Sequence, residues 1–184
     1  MRPGLQLSLQ MPDGSHRQVL QRHLVARWIR AALSAPGQIT VRIVGEAEGR
    51  RLNREYRGKD YATDVLTFDY ARRPAVEADL VLCAPVIARD AQAAGRALQA
   101  HYAHLLVHGV LHAQGHDHET SERDARAMEA LESRILTQLG YPDPWADLNS
   151  TPHGETAPRQ SRSPSTSRPR SLASAKAHPR ASRR

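Results

Sequence analysis

The chain is poor in three kinds of feature, and each shortage excludes a class of protein. Its 184 residues include one cysteine, Cys83, so an intramolecular disulfide is excluded and a reducing cytoplasm is the expected compartment. The longest apolar run, residues 81–88, is interrupted by Pro85 and is far shorter than the ~20 residues that span a bilayer. Residues 1–11 lack the continuous apolar core of a secretory signal. We therefore expect no membrane partner.

Aromatic residues are scarce as well, at 4% of the chain. The single Phe and five Tyr are too scattered to predict a platform on which RNA bases stack. There is also no phosphate-binding glycine loop and no nucleophilic Ser or Cys motif. For a nucleic-acid substrate, the sequence predicts contacts with phosphates and overall shape better than base readout.

Positive charge is concentrated at one end of the chain. The formal net charge is +7, and residues 151–184 alone hold eight basic residues and one acid, whereas residues 1–150 are balanced. The end segment is rich in Ser, Pro and Arg and cannot bury enough apolar surface to offset the entropy of ordering. We predict one domain over residues 1–148 and a disordered basic tail over residues 149–184. The tail either binds RNA through its phosphates or has no defined role.

Histidines are the most informative residues present, because six of the ten lie between residues 101 and 118. His108 and His112 are four apart in a segment with helical character, so their Cβ atoms lie roughly 5–6 Å apart on one face. Gly115 readily ends a helix, which gives His118 a route back to the same metal ion. Three imidazoles with an open fourth position are typical of a catalytic zinc site, although nickel, copper and iron also accept imidazole.

Other residues in this segment leave alternatives open. His104 extends the same face by one turn, and His116 is an alternative third ligand. His101, His104 and His116 are otherwise groups that orient the ligands or contact RNA, and Asp117 either orients a ligand imidazole or caps the next helix. A His-Glu-x-x-His metalloprotease carries its base at the position where this chain has Gly109. Ordinary zinc-peptidase chemistry therefore lacks its usual base.

A second segment, residues 52–68, carries candidate phosphate-binding groups. It predicts a helix end with Arg54 and Arg57, a stop at Gly58, and a strand entered through Thr63 and Asp64. Arginine offers a planar fork of donors that suits phosphate oxygens. Taken alone, however, this segment is more typical of a solvated basic helix end.

Together, the two segments resemble the YbeY family of bacterial rRNA-maturation endoribonucleases. Residues 108–118, His-Gly-Val-Leu-His-Ala-Gln-Gly-His-Asp-His, match the metal motif of that family throughout. Residues 53–68 match its upstream motif with two changes, Ala62 for proline and Thr67 for serine. Residues 78–83 resemble its Gly-Asp-Ile strand, with alanine in place of glycine. The resemblance covers about residues 38–140.

The resemblance implies a function and a set of roles. It implies that His108, His112 and His118 bind one zinc ion per chain, and that Arg57 is the functional arginine. It also implies a single-strand-specific, metal-dependent endoribonuclease that matures the 3′ end of small-subunit rRNA and acts in ribosome quality control. The partners are then rRNA precursor and the small ribosomal subunit. Two alternatives remain, a metal-dependent hydrolase of another substrate such as a peptide, and a non-catalytic ribosome-assembly factor with a structural metal.

Hydrophobic periodicity predicts an α+β fold. We expect a single domain with a mixed sheet of about four strands, covered by about five helices and followed by the disordered tail. The strands are expected at residues 5–9, 39–44, 65–70 and 79–83. The helices are expected at residues 17–33, 46–57, 85–100, 101–114 and 121–139.

Overall fold

Four strands and five helices make up residues 3–117 and 121–146, which are the residues that the computed structural model describes. In chain order they are β1 (Leu5–Gln10), α1 (Arg22–Ala32), β2 (Gly37–Val44), α2 (Glu46–Arg57), β3 (Val65–Ala71), β4 (Val76–Cys83), α3 (Ala84–Ala93), α4 (Leu98–Ala113) and α5 (Glu122–Leu139). The predicted α+β class is confirmed. The predicted tail and His118 lie outside the described residues.

The four strands form one mixed sheet in the order β1-β2-β4-β3. Strands β1, β2 and β4 are parallel, and β3 is antiparallel to β4. Because side chains alternate along a strand, the two faces of the sheet bury different sets. Val41 and Leu80 belong to the larger core, which includes residues of α1, α4 and α5. Val81 and Cys83 belong to a smaller cluster, against which Leu52 of α2 packs.

Helix α4 lies at the centre of the packing. It contacts α1, α3, α5, β3 and β4, and every residue from His101 to Ala113 is buried. A helix buried on all sides is typical of a protein interior. Among the helices that the structure describes, none has both the length and the apolar content needed to cross a bilayer. The buried part of α4 carries four of the histidines singled out above, which are His101, His104, His108 and His112.

A glycine lets α4 approach the sheet closely. A Cβ atom added to Gly109 would lie 2.9 Å from Cδ2 of Leu80 and 3.2 Å from Oγ1 of Thr67. Both distances are shorter than ordinary van der Waals contacts, so any larger residue at this position would have to displace the side chains of Leu80 and Thr67.

The helices differ from the expectation chiefly at two places, the start of α1 and the boundary between α3 and α4, where α4 begins at Leu98 rather than at residue 101. Helix α1 begins at Arg22 rather than at residue 17, because His16 has a positive φ of 56° and residues 16–20 form turns. Helix α3 ends at Ala93, whereas the sequence predicted a helix to residue 100. The break follows from Gly95, which adopts φ of 61° and reverses the chain before α4 begins.

Candidate metal centre

His108 and His112 share one buried face of α4, as their spacing predicted. Their side chains are nearly inaccessible, and their ring centroids lie 4.5 Å apart. The chain turns directly after them, since Gly115 has φ of 98° and its amide donates to the His112 carbonyl at 2.9 Å. The amide of His116 donates to the Leu111 carbonyl, which closes the turn. This turn leads toward His118, which lies outside the described residues.

Glu132 of α5 holds the histidine face of α4 in place, and the sequence analysis missed it. This carboxylate is 1% exposed. It accepts hydrogen bonds from Nδ1 of His108 at 2.5 Å, from Nε2 of His104 at 3.1 Å and from Nε1 of Trp145 at 3.0 Å. Three donors converging on one buried carboxylate satisfy a group that is otherwise costly to bury.

The electrostatics of Glu132 fix the orientation of the His108 ring. Burial by itself raises the pKa of Glu132, but the charge of His108 and the hydrogen bonds from His104 and His108 more than offset it. The net result is a pKa well below the ordinary range, so Glu132 is an ionised acceptor. Nδ1 of His108 is then the donor, and Nε2 is the ring atom suited to a metal.

Asp64 brings a second carboxyl group to the same region from the loop between α2 and β3. It is 1% exposed, and its Oδ1 accepts hydrogen bonds from the Val65 amide at 2.8 Å and from Oγ1 of Thr63 at 3.2 Å. Burial raises the pKa of Asp64, while the Val65 amide and the charge of His108 oppose that rise. The Asp64 carbonyl accepts from the Cys83 amide at 2.8 Å, which ties the end of the loop to β4.

Arg57 is the last residue of α2, at the start of that loop, and it is half-buried. The helix ends there because Gly58 adopts φ of 68° and its amide donates to the Arg54 carbonyl. Nδ2 of Asn53 donates to the Tyr61 carbonyl at 2.7 Å and holds the loop against α2. The structure thus brings His108 and His112 together, and it places Arg57 at the opposite end of the loop from Asp64.

The residues in place fit part of a metal site. Within residues 3–117 and 121–146, no three His, Cys, Asp or Glu side chains are arranged to hold a metal ion. Two of the three predicted ligands are present as a buried imidazole pair, one of them oriented by a carboxylate, which is a donor set that suits a transition metal. His116, the alternative third ligand, is exposed.

Comparisons with known proteins agree with the motifs. The sequence profile of the family described as Endoribonuclease YbeY matches residues 8–140. The chain belongs to the YbeY family. The match spans both motifs, so the resemblance predicted from them is confirmed.

Two YbeY relatives and one solved structure show how far the similarity extends. The Endoribonuclease YbeY of Methylibium petroleiphilum is 67% identical over 145 residues, covering 79% of this chain and 97% of that protein. The Endoribonuclease YbeY of Polaromonas naphthalenivorans is 64% identical over 145 residues, covering 77% of this chain and 96% of that protein. The solution structure of TM1509 from Thermotoga maritima has a TM-score of 0.53 at 22% identity, covering 85% of this chain and 99% of that one, and shares the fold.

Proposed function

We propose that this chain is a metal-dependent endoribonuclease that cleaves single-stranded regions of rRNA precursors in the cytoplasm. Its role includes maturation of the 3′ end of small-subunit rRNA and ribosome quality control, with the small subunit as partner. The observation that carries the proposal is the buried pair His108 and His112, with Glu132 holding Nδ1 of His108. The names of the relatives supply RNA as the substrate class.

The chain's own histidines would hold the metal. We assign His108, His112 and His118 as the ligands of one zinc ion, with His104 and Glu132 as the groups that orient His108. A bound ion of this kind lowers the pKa of its water to around 7 and polarises a phosphoryl oxygen. The role of Glu132 is to keep the proton of His108 on Nδ1, so that Nε2 remains a lone-pair donor.

Arg57 supplies positive charge to the phosphate. Its guanidinium can offer two parallel donors to phosphate oxygens. We assign it the stabilisation of charge that develops on the phosphate during cleavage. Its position at a capped helix end supports this role, because the Gly58 cap and the Asn53 contact restrict where the backbone of Arg57 lies.

Peptide hydrolysis is the weaker alternative. A zinc peptidase of the His-Glu-x-x-His type has its base next to the first histidine. The corresponding position is Gly109, which has no side chain to act as a base and packs closely against Leu80 and Thr67. The other alternative, a non-catalytic ribosome-assembly factor, differs from both enzymes because it would cleave neither RNA nor peptide.

A cleavage assay separates the three functions. Zinc-loaded full-length protein is incubated separately with an rRNA precursor fragment and with casein. The same reactions are repeated after the metal has been removed by a chelator, and parallel controls exclude trace nuclease contamination. His112→Ala should abolish RNA cleavage, whereas His23→Ala, which changes an exposed histidine of α1, should not. Cleavage of casein alone would support the peptidase, and no turnover on either substrate would support the assembly factor.

A further inference from the structure

A cavity of about 940 Å³ opens beside the histidine cluster. Its walls come from the α2–β3 loop, from α3 and the turn that follows it, from the first half of α4, and from the segment after α5. Its volume is near the upper end of the range for small-molecule sites. His104 lines the cavity and also donates to Glu132, so the cavity adjoins the proposed metal centre.

Three nearly inaccessible polar side chains of the cavity lining carry atoms that nothing in the described residues satisfies. They are Asp64, whose Oδ2 has no hydrogen-bond partner there, His101, for which neither ring nitrogen has one, and His104, whose Nδ1 has none. Asp64 is 1% exposed, His104 is 3% exposed and His101 is 5% exposed. An unsatisfied buried polar group costs about 1–3 kcal/mol, so three such side chains in one cavity lining indicate a site built for a ligand.

The remaining lining defines the chemistry of that ligand. Small apolar side chains, the phenol of Tyr61 and the indole of Trp145 form the walls. Lys59 and Arg96 add positive charge, and Asp90 adds a second carboxyl group beside Asp64. Nη2 of Arg96 donates to the Pro144 carbonyl at 2.7 Å, which positions the segment that carries Trp145. The hydrogen-bonding groups suit the edge of a nucleotide base, the apolar walls suit its two faces, and the cations suit its phosphate.

We propose that this cavity binds one nucleotide of the RNA strand, next to the phosphate that is cleaved. The base lies between the apolar walls and against Trp145, and its edge hydrogen-bonds to Asp64 and His101. Its phosphate lies at Lys59 and Arg96. The proposal rests on the proposed RNA substrate and adds a base contact that the scattered aromatic residues of the sequence did not predict.

The two tryptophans of the chain provide a direct probe. Trp145 lines the cavity, whereas Trp28 is fully buried in the core and donates to the Tyr141 hydroxyl. Full-length, metal-free protein is titrated with AMP, CMP, GMP, UMP and ribose 5-phosphate while the indole N–H signals are followed by NMR. The nucleotides should shift the Trp145 signal and leave that of Trp28 in place, with dissociation constants at least about tenfold below that of ribose 5-phosphate.

Substitutions test each part of the cavity. Asp64→Asn retains an oxygen that accepts from the Val65 amide, but it replaces Oδ2 by an amide donor. It should therefore weaken nucleotide binding about tenfold and leave the affinity for ribose 5-phosphate unchanged. Lys59→Gln should weaken both probes equally. Asp79→Asn, outside the cavity, should change neither. His101→Asn replaces Asp64→Asn as the test if the latter does not fold, and it should have the same selective effect.

Several outcomes overturn the proposal. Equal binding of ribose 5-phosphate and nucleotides would leave a phosphate site without a base contact. Unchanged nucleotide affinity in folded Asp64→Asn or His101→Asn would remove the base-edge contacts. An RNA tetranucleotide that fails to shift the Trp145 signal, when mononucleotides do shift it, would assign the cavity to a free nucleotide. All titrations use metal-free protein, so they do not depend on cleavage activity. The nucleotide site can therefore be disproved while the proposed endoribonuclease function stands, and the reverse is also possible.

Discussion

Nδ1 of His108 lies 2.5 Å from Oε1 of Glu132, although the two residues are 24 positions apart and belong to different helices. The second oxygen of the same carboxylate accepts from His104 and from Trp145. Both carboxylate oxygens of Glu132 therefore accept hydrogen bonds. Replacing either oxygen by a hydrogen-bond donor would break at least one of these contacts. The orientation of a proposed metal ligand thus depends on the packing of α5 against α4.

Replacing Glu132 by Gln should weaken zinc binding by about 10- to 100-fold. An amide has only one acceptor, so either His104 or His108 loses its partner. If the amide nitrogen faces His108, the proton of that ring moves to Nε2 and blocks the metal-binding atom. Zinc affinity is measured by chelator competition, and the tautomer of His108 by ¹⁵N NMR. The matched control is Glu122→Gln, at the exposed start of α5. Equal zinc affinity in both variants would show that Glu132 only supports packing.

Replacing Gly109 by Ala should destabilise the fold by roughly 1–2 kcal/mol. The added Cβ would meet the side chain of Leu80 at 2.9 Å, and overpacking of a core commonly costs 1–3 kcal/mol, partly offset by the higher helix propensity of alanine. Urea unfolding of metal-free protein measures the change. Gly4→Ala, where no atom lies within 4 Å, should be nearly neutral. A stability equal to wild type would mean that α4 can move away from the sheet at little cost.

Replacing His101 by Phe should reduce the acid sensitivity of the fold. The pKa of His101 is lowered from 6.5 to about 4, first by burial and then by the charges of His104 and Arg96. Between these values the unfolded chain binds a proton that the folded chain does not, so the free energy of unfolding falls as the pH falls through this window. Wild type should lose about 2 kcal/mol more than the variant between pH 7.5 and pH 5.

Urea unfolding of metal-free protein at the two pH values measures this difference. His23→Phe, on the exposed side of α1, is the matched control and should keep the wild-type pH dependence. The opposite sign, with the phenylalanine variant the more acid-sensitive protein, would contradict a neutral buried His101.

Replacing Arg57 by Ala should reduce RNA cleavage while fold and zinc content remain unchanged. Lysine should restore little activity, because an ammonium group cannot reproduce the two parallel donors of a guanidinium. Cleavage rates at saturating RNA give the effect. Arg54→Ala, which removes an exposed arginine at one helix turn distance on α2, is the control and should retain activity. Similar cleavage rates for Arg57→Ala and Arg54→Ala would show that Arg57 is only a solvated residue at a helix end.

Deleting residues 149–184 should weaken RNA binding at low salt and flatten its salt dependence. These residues carry the net positive charge of the chain, and each phosphate contact with single-stranded RNA contributes roughly 0.7 to the slope of log affinity against log salt. Binding isotherms at several salt concentrations measure the slope. A chain of full length with the tail Arg and Lys replaced by Ser separates charge from length. A wild-type slope in that chain would assign RNA binding to the domain alone.

Local patterns predicted the part of this fold and site that depends on neighbours in sequence. The face shared by His108 and His112 follows from helical geometry alone, and Gly115 ends the helix as its backbone freedom suggests. The four strands were predicted to within a few residues, because β1 alternates apolar and polar residues and the other three contain β-branched residues. Proposed roles that no contact tests, those of Arg57 and His118, remain predictions.

Contacts between distant elements were beyond the reach of the sequence. Glu132 is one of nineteen acidic residues, and its partners are 24 and 28 positions away. The available signal was its place on the apolar stripe of α5, one turn after Met128 and one residue from Leu131. A charged residue on a buried stripe needs a partner, and that requirement points toward the histidines of α4.

The burial of residues 101–113 of α4 also constrains how fast ligands bind and dissociate. Exposing its amides requires the packing of α1, α5 and the sheet to open together, so hydrogen exchange along α4 should approach the rate of global unfolding. Fraying of this helix does not expose His108 or His112, both of which are nearly inaccessible. Whatever these two imidazoles bind should therefore exchange with bulk solvent slowly, on the time scale of the opening that exposes the surrounding core.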